Sequence, residues 1–245
     1  MDGDFVKTGI EGLDQMLNGG IPRGNQVVLA GGPGAGKTLL SFEFLYRNAK
    51  AGNTSLLFAL EEEPERVLMN AKKAFTSFTD IDELVKSKKL IIDGEDLVGV
   101  LRSGASSDSS QYEFGKIVSD IESLVSSSKA NAIVIDSISV LDLLLNEPLA
   151  YRRSMLALAS NLRRLGITSI LTSELQNPER SKLQFQTEFF LFDGIIVMYG
   201  KGEEEKREQA MEVIKMRGTK HSFVTTPYDI TQDGINVITP EDMAL

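Results

Sequence analysis

Gly31, Gly36, Lys37 and Thr38 stand in the spacing Gly-x-x-x-x-Gly-Lys-Thr, within the run Gly31-Gly32-Pro33-Gly34-Ala35-Gly36-Lys37-Thr38. Glycines let successive backbone N–H groups turn inward around phosphate oxygens, and a helix starting near Lys37 would add its positive dipole end. In such a loop the lysine reaches the outer phosphates of a nucleotide and the threonine hydroxyl ligates Mg2+. A glycine turn feeding a helix by chance is the plainer reading. The apolar strand before the loop and the helix pattern after it favour the phosphate cradle. ATP and Mg2+ are therefore the expected cofactors, with all eight residues in contact with nucleotide and Thr38 on the metal.

That chemistry asks for carboxylates nearby. Asp136 closes the apolar run Ala132-Ile133-Val134-Ile135 and is the natural second ligand for Mg2+, although an Asp before Ser137 also suits a helix N-cap. Glu61, Glu62 and Glu63 precede Pro64 at the end of another apolar run. One carboxylate there would satisfy a helix N-terminus at a few tenths to about 1 kcal/mol, whereas three adjacent ones repel. Glu61 or Glu62 is expected to polarise an attacking water as general base. In Val213-Ile214-Lys215-Met216-Arg217 a strand period of two puts Lys215 and Arg217 on one face, roughly 7 Å apart, with Ile214 and Met216 on the other. Two ordinary cations on a solvated strand would read the same way. Glu174 or Gln176, after the strand ending near Thr172, suits a polar group sensing the γ-phosphate; a plain loop fits equally well.

The elements that must hold these groups alternate. Strands are expected at Gln26–Ala30, Ser55–Leu60, Leu90–Asp93, Ala132–Ile135, Ile167–Thr172 and Gly194–Tyr199. Helices are expected at Leu39–Lys50, from Pro64 to about Phe75, from Tyr112 to about Ser127, and from about Leu149 to Leu165, stopped by Gly166. Ser103–Ser110 reads as an exposed loop and Glu203–Glu208 as a charged hairpin tip leading into Ala210–Met216. Tyr228–Ile238 reads as a hairpin turning at Gln232-Asp233-Gly234. Strand–helix alternation followed by strands predicts an α/β fold, a mostly parallel sheet flanked by helices and extended by C-terminal antiparallel strands. No linker or repeat divides residues 1–245, so a single domain is expected.

Composition narrows the setting. Of 245 residues, 42% are hydrophobic and 25% charged, the balance of a globular chain able to bury a core. No apolar run approaches the roughly 18 residues needed to cross a bilayer, and the start of the chain lacks a secretory h-region. The absence of cysteine excludes disulfides and fits a cytoplasmic protein. A formal charge of −9 is not that of a nucleic-acid binder. The segment from Asn177 to Glu188 mixes Arg180 and Lys182 with Glu179 and Glu188, and is no basic patch.

Taken together these motifs resemble the KaiC branch of the RecA-like P-loop ATPases. Thr8-Gly9-Ile10-Glu11-Gly12-Leu13-Asp14 and Gly19-Gly20-Ile21-Pro22-Arg23-Gly24 look like the family's opening motif. Leu60-Glu61-Glu62-Glu63-Pro64 resembles its paired catalytic glutamates, Ile135-Asp136-Ser137 its Walker B strand, Lys215-Met216-Arg217-Gly218-Thr219 its Lys-x-Arg motif, and Thr231–Ile235 its closing hairpin. The resemblance implies a RecA-like fold and a homo-oligomeric ring, typically a hexamer, with ATP between subunits. It implies Glu61 as principal catalytic glutamate with Glu62 as partner, and Lys215 and Arg217 reaching a neighbour's γ-phosphate. The double-domain member autophosphorylates a Ser-Thr pair. Anchored on Asp193-Gly194, the matching positions here are Phe189 and Phe190, which cannot accept phosphate, so autokinase activity is not expected. A Mg-dependent ATPase is the leading reading. The alternatives are a nucleotide-responsive assembly or signalling module with little turnover, acting on an unidentified protein partner, and a DNA-dependent recombinase or repair ATPase.

Overall fold

The computed structural model describes residues 4–95, 97–102, 107–145, 147–177, 179–201 and 208–239. A two-stranded ribbon pairs β1 (Phe5–Val6) with β2 (Ile21–Pro22) around the short helix α1 (Glu11–Met16). The strand β3 (Gln26–Gly31) then leads through the glycine loop into α2 (Lys37–Lys50). Next come β4 (Ser55–Ala59), α3 (Pro64–Ala74), α4 (Ile81–Lys86), β5 (Leu90–Gly94), α5 (Leu97–Arg102) and α6 (Ser107–Ser128). The second half holds β6 (Ala132–Asp136), α7 (Ser139–Leu145), α8 (Pro148–Leu165), β7 (Thr168–Glu174), β8 (Gly194–Lys201), β9 (Glu208–Met216), β10 (Thr226–Thr231) and β11 (Gly234–Val237).

Nine strands form one sheet in the order β11-β10-β9-β8-β3-β7-β6-β4-β5. From β8 to β5 every pairing is parallel; β9, β10 and β11 add antiparallel strands at the other side. The predicted α/β architecture is thus the observed one. All six residues of β3 are buried, because a strand covered on both faces has no solvent side to make polar. Alternate residues divide between two cores. Val27 and Leu29 pack with α2, α3 and the C-terminal hairpin, while Val28 and Ala30 pack with α6, α7 and α8. Each fully buried aliphatic side chain contributes about 1.5–3 kcal/mol.

Helix punctuation follows the sequence closely. Pro64 and Pro148 occupy first-turn positions, and Gly166 caps α8 at φ 65. Three expectations change. Ser107–Ser110 belong to α6 rather than to an exposed loop, since the small polar residues that favour loops also favour helix starts; 103–106 lie outside the described residues. The short helices α4, α5 and α7 have too few turns to show a periodicity. Most of the Glu203–Glu208 tip lies outside the described residues, but Glu208 itself pairs with Lys201 as the first residue of β9.

Within β9 the regular period of two also fails. Lys215 pairs with Ile195 and Val213 with Ile196, leaving Ile214 as an extra, bulged residue. Ile214 therefore packs on the α8 side, and Met216 on the α2 side, so the two do not share the face expected of them.

Candidate functional site

The parallel register brings the chemistry to one end of the sheet. Gly31 is level with Glu174 across β3 and β7, and Ala59 is level with Asp136 across β4 and β6. Glu61 lies two residues beyond Ala59. The carboxyl ends of four adjacent strands therefore converge on the loop Gly31–Thr38, the side of an open α/β sheet where ligands bind.

The loop is built to turn. Gly34 has φ 75 with nothing within 4 Å of a Cβ position, and Gly36 caps α2 at φ 90. A Cβ on Gly36 would come within 2.5 Å of Ile230 Cδ1, and one on Gly31 within 2.6 Å of the Met198 carbonyl. Lys37 is buried and folds back over the loop, its Nζ donating to the Gly31 and Gly32 carbonyls at 2.9 and 3.1 Å. Burial pulls the Lys37 ammonium below its usual pKa; the charges of Glu174, Asp136 and Glu61 act in the opposite sense. One cation thus faces three carboxylates.

Asp136 is buried at the tip of β6, with one oxygen accepting from the Thr172 hydroxyl. Thr38, in the first turn of α2, and Asp136 offer the hard oxygens that Mg2+ prefers. The open glycine loop at a helix N-terminus, a lysine bound only to carbonyls it can exchange, and these oxygen donors fit a nucleotide polyphosphate with Mg2+.

Glu61 is solvent-exposed at one side, yet its carboxyl is pushed up from the ordinary glutamate range. Partial burial is the largest cause, followed by the charges of Glu174 and Asp136; a hydrogen bond with Ser137 and the Lys37 charge oppose them. A raised proton affinity suits a general base. Glu62 behaves differently. Its carboxylate turns along α3 to Arg66 at 3.3 Å and Asn70 at 3.5 Å. Only Glu61 of the pair joins the electrostatic cluster around Lys37. Glu63 is the N-cap residue of α3, without a side-chain cap bond.

Lys215 and Arg217 sit elsewhere. Gly194 pairs with Met216 and with Val27, so both cations lie at the amino end of β3 and β8. With roughly 3.3 Å per residue, the length of β3 sets them on the order of 17 Å from the phosphate loop of the same chain. There the two cations lie near each other and near Asp193. Arg217 contacts Asp193 Oδ1 at 3.3 Å, while Lys215 donates to the Phe192 carbonyl at 2.5 Å and the Phe190 carbonyl at 3.4 Å. Burial, then the Arg217 charge, lowers the Lys215 pKa.

Sequence reasoning missed several parts. Asp193 is buried and also accepts from the Gln26 N–H at 3.2 Å. Arg163, on α8, reaches Asp193 at 3.6 Å and the Leu191 carbonyl at 2.6 Å. Glu174, left open above, stands in the carboxylate cluster; its N–H donates to Ser139 Oγ at 2.8 Å. Gln176 is exposed beyond the end of β7. Only the strand end preceding Glu174 could have signalled it. Phe189 is fully buried and Phe190 is half exposed; neither bears a hydroxyl.

Comparison with known proteins agrees with this geometry. Residues 6–242 match the family described as "ATPase: KaiC". The chain is 32% identical to a UPF0273 protein of Aeropyrum pernix, covering 96% of this chain and 93% of that protein. It is 31% identical to the circadian clock oscillator protein KaiC of Rippkaea orientalis over 95% of this chain, but spans only 43% of that protein's length. Among solved structures, a KaiC-like protein of Pyrococcus horikoshii superposes with a TM-score of 0.79 at 31% identity, covering 95% and 98% of the two chains. The chain belongs to the KaiC family of nucleotide-binding ATPase domains.

Proposed function

We propose that this chain hydrolyses ATP to ADP and phosphate with Mg2+, at sites completed between subunits of a homo-oligomeric ring, hexameric by the family resemblance. The observation that carries this reading is the split of the machinery between the two ends of β3. The end with Lys37 gathers Glu61, Asp136 and Glu174. The other end gathers Lys215, Arg217 and Arg163 about Asp193. Cations too far from their own phosphate loop, on a face opposite in charge to the site, suit a head-to-tail contact, which closes into a ring when its rotation allows.

In this reading Gly31–Thr38 cradle the phosphates, with Lys37 exchanging its carbonyl partners for phosphate oxygens. Thr38 and Asp136 hold Mg2+, which when bound neutralises charge on the phosphates. Glu61 takes the proton from the attacking water as the new P–O bond forms and the bond to ADP breaks. Lys215 and Arg217 of the adjacent subunit offset the charge carried by the departing phosphates, the role of an arginine finger. Glu62, engaged by Arg66 and Asn70, is the partner of Glu61 outside the cluster around Lys37.

Nucleic acid is not the favoured partner. Arg180 is paired with Glu212 at 2.8 Å, Lys182 with Glu179 at 2.8 Å, and Arg152 with Glu188 at 3.4 Å, so the cations near the 177–188 segment are already neutralised. A cytoplasmic setting and a single ATPase domain are part of the proposal; no described helix is long and apolar enough to cross a membrane. The test measures phosphate release and particle mass together, with and without Mg2+ and single-stranded DNA. Mg-dependent turnover by an oligomer, unaffected by DNA, supports the reading. Turnover by a monomer overturns its intersubunit part, and DNA-stimulated turnover that salt abolishes favours the recombinase alternative.

A further inference from the structure

The phosphate loop has a support that its own motif does not contain. Tyr228 lies on β10, separated by 193 positions from Ala35, and its hydroxyl donates to the Ala35 carbonyl at 2.5 Å. The side chain is 1% exposed, and burial raises its pKa, so the hydroxyl remains a donor at any working pH. Two residues on, Ile230 lies against Gly36, where any Cβ would strike it. The hairpin is tied down independently. The Glu43 carboxylate, from two turns into α2, accepts from the Ile235 N–H at 2.6 Å.

A peptide unit is planar, and in the trans form its C=O and N–H point in opposite directions. The Ala35–Gly36 bond is trans. A carbonyl held outward by Tyr228 therefore holds the Gly36 N–H inward, toward the cradle that phosphate must occupy. Gly36 at φ 90 has the backbone freedom to rotate that unit, so without an anchor the donor would sample other directions. We propose that Tyr228 is a positioning residue for nucleotide binding, its hydroxyl orienting the Gly36 N–H of the phosphate loop from the C-terminal hairpin. It acts through Ala35 and does not touch the ligand.

Y228F removes one oxygen and leaves the ring. Titration calorimetry with Mg-ADP is expected to show affinity weakened by about three- to tenfold, the size of one hydrogen bond's net contribution. The turnover rate at saturating ATP should change far less than KM. In the nucleotide-free variant the Gly36 amide resonance should shift and broaden, while that of Leu40, whose N–H donates to the Gly36 carbonyl at 2.9 Å, should not. L162A, which thins the core on the α8 side of the sheet, away from the hairpin, serves as the comparison for general destabilisation. It should lower the melting temperature and keep wild-type affinity. Wild-type affinity in Y228F overturns the proposal, and so does an equal loss of affinity in L162A. If the wild-type chain binds no nucleotide, the phosphate-loop reading falls and takes this one with it; binding without turnover leaves it standing.

Discussion

The two ends of the central sheet are electrostatic opposites. At the carboxyl end, the Lys37 ammonium is surrounded by Glu61, Asp136 and Glu174. At the amino end of β3 and β8, Arg217, Arg163 and Lys215 surround the buried carboxylate of Asp193. The first end has the glycine loop and three carboxylates, with Lys37 as the cation among them. The second has cations and no cradle. In the function proposed, each end supplies what the other lacks. A single chain cannot bring them together, because a rigid, fully buried strand separates them.

The comparison breaks most readily at the cationic end. R217A should lower turnover by roughly 10³- to 10⁵-fold while nucleotide binding survives, if the guanidinium acts as a finger. Measured by phosphate release beside a binding titration, a change of less than tenfold would make that end a structural knot around Asp193. At the carboxyl end, E61Q should cost about 10²- to 10⁴-fold in turnover and leave ADP affinity near wild type. E62Q should cost under about tenfold, because the Glu62 carboxylate is engaged with Arg66.

The pH profile sharpens the same contrast. A base must be ionised to work, and the Glu61 pKa is raised from the ordinary value of 4.5, so turnover should fall on acidification at a pH above the usual glutamate range. For stability the sign is opposite. A raised folded-state pKa favours the protonated acid, so the contribution of Glu61 is present at low pH and lost as pH rises through that pKa. E61Q should then melt no lower than wild type at neutral pH, read by calorimetry. A lower melting temperature would mean that the carboxylate holds the fold together rather than straining it.

The sequence made the cradle legible because its whole logic is local: strand, glycines, lysine and helix follow within a few residues. Asp136 was legible for the same reason, as the polar stop of an apolar strand. The pairing of strands was less so, and with it everything that depends on partners distant in the chain. Asp193 meets Gln26 across 167 positions, and Tyr228 meets Ala35 across 193, contacts that no periodicity encodes. The bulge at Ile214 shows the limit from another side. A period of two placed Lys215 and Arg217 together correctly but misassigned Ile214, since one inserted residue reverses the alternation around it. The separation of Glu61 from Glu62 was also beyond the sequence, because adjacent residues leaving a strand diverge according to the helix that follows.

The central claim is that an active site takes its cradle from one chain and its cations from the next. Mixing K37A chains with R217A chains in equal amounts tests it directly, because each variant should be inactive alone. After exchange of subunits, roughly a quarter of the sites in a head-to-tail ring should pair an intact cradle with an intact finger. Turnover should recover to about that fraction of wild type. No recovery, with mass measurement showing that mixed oligomers have formed, would contradict the claim.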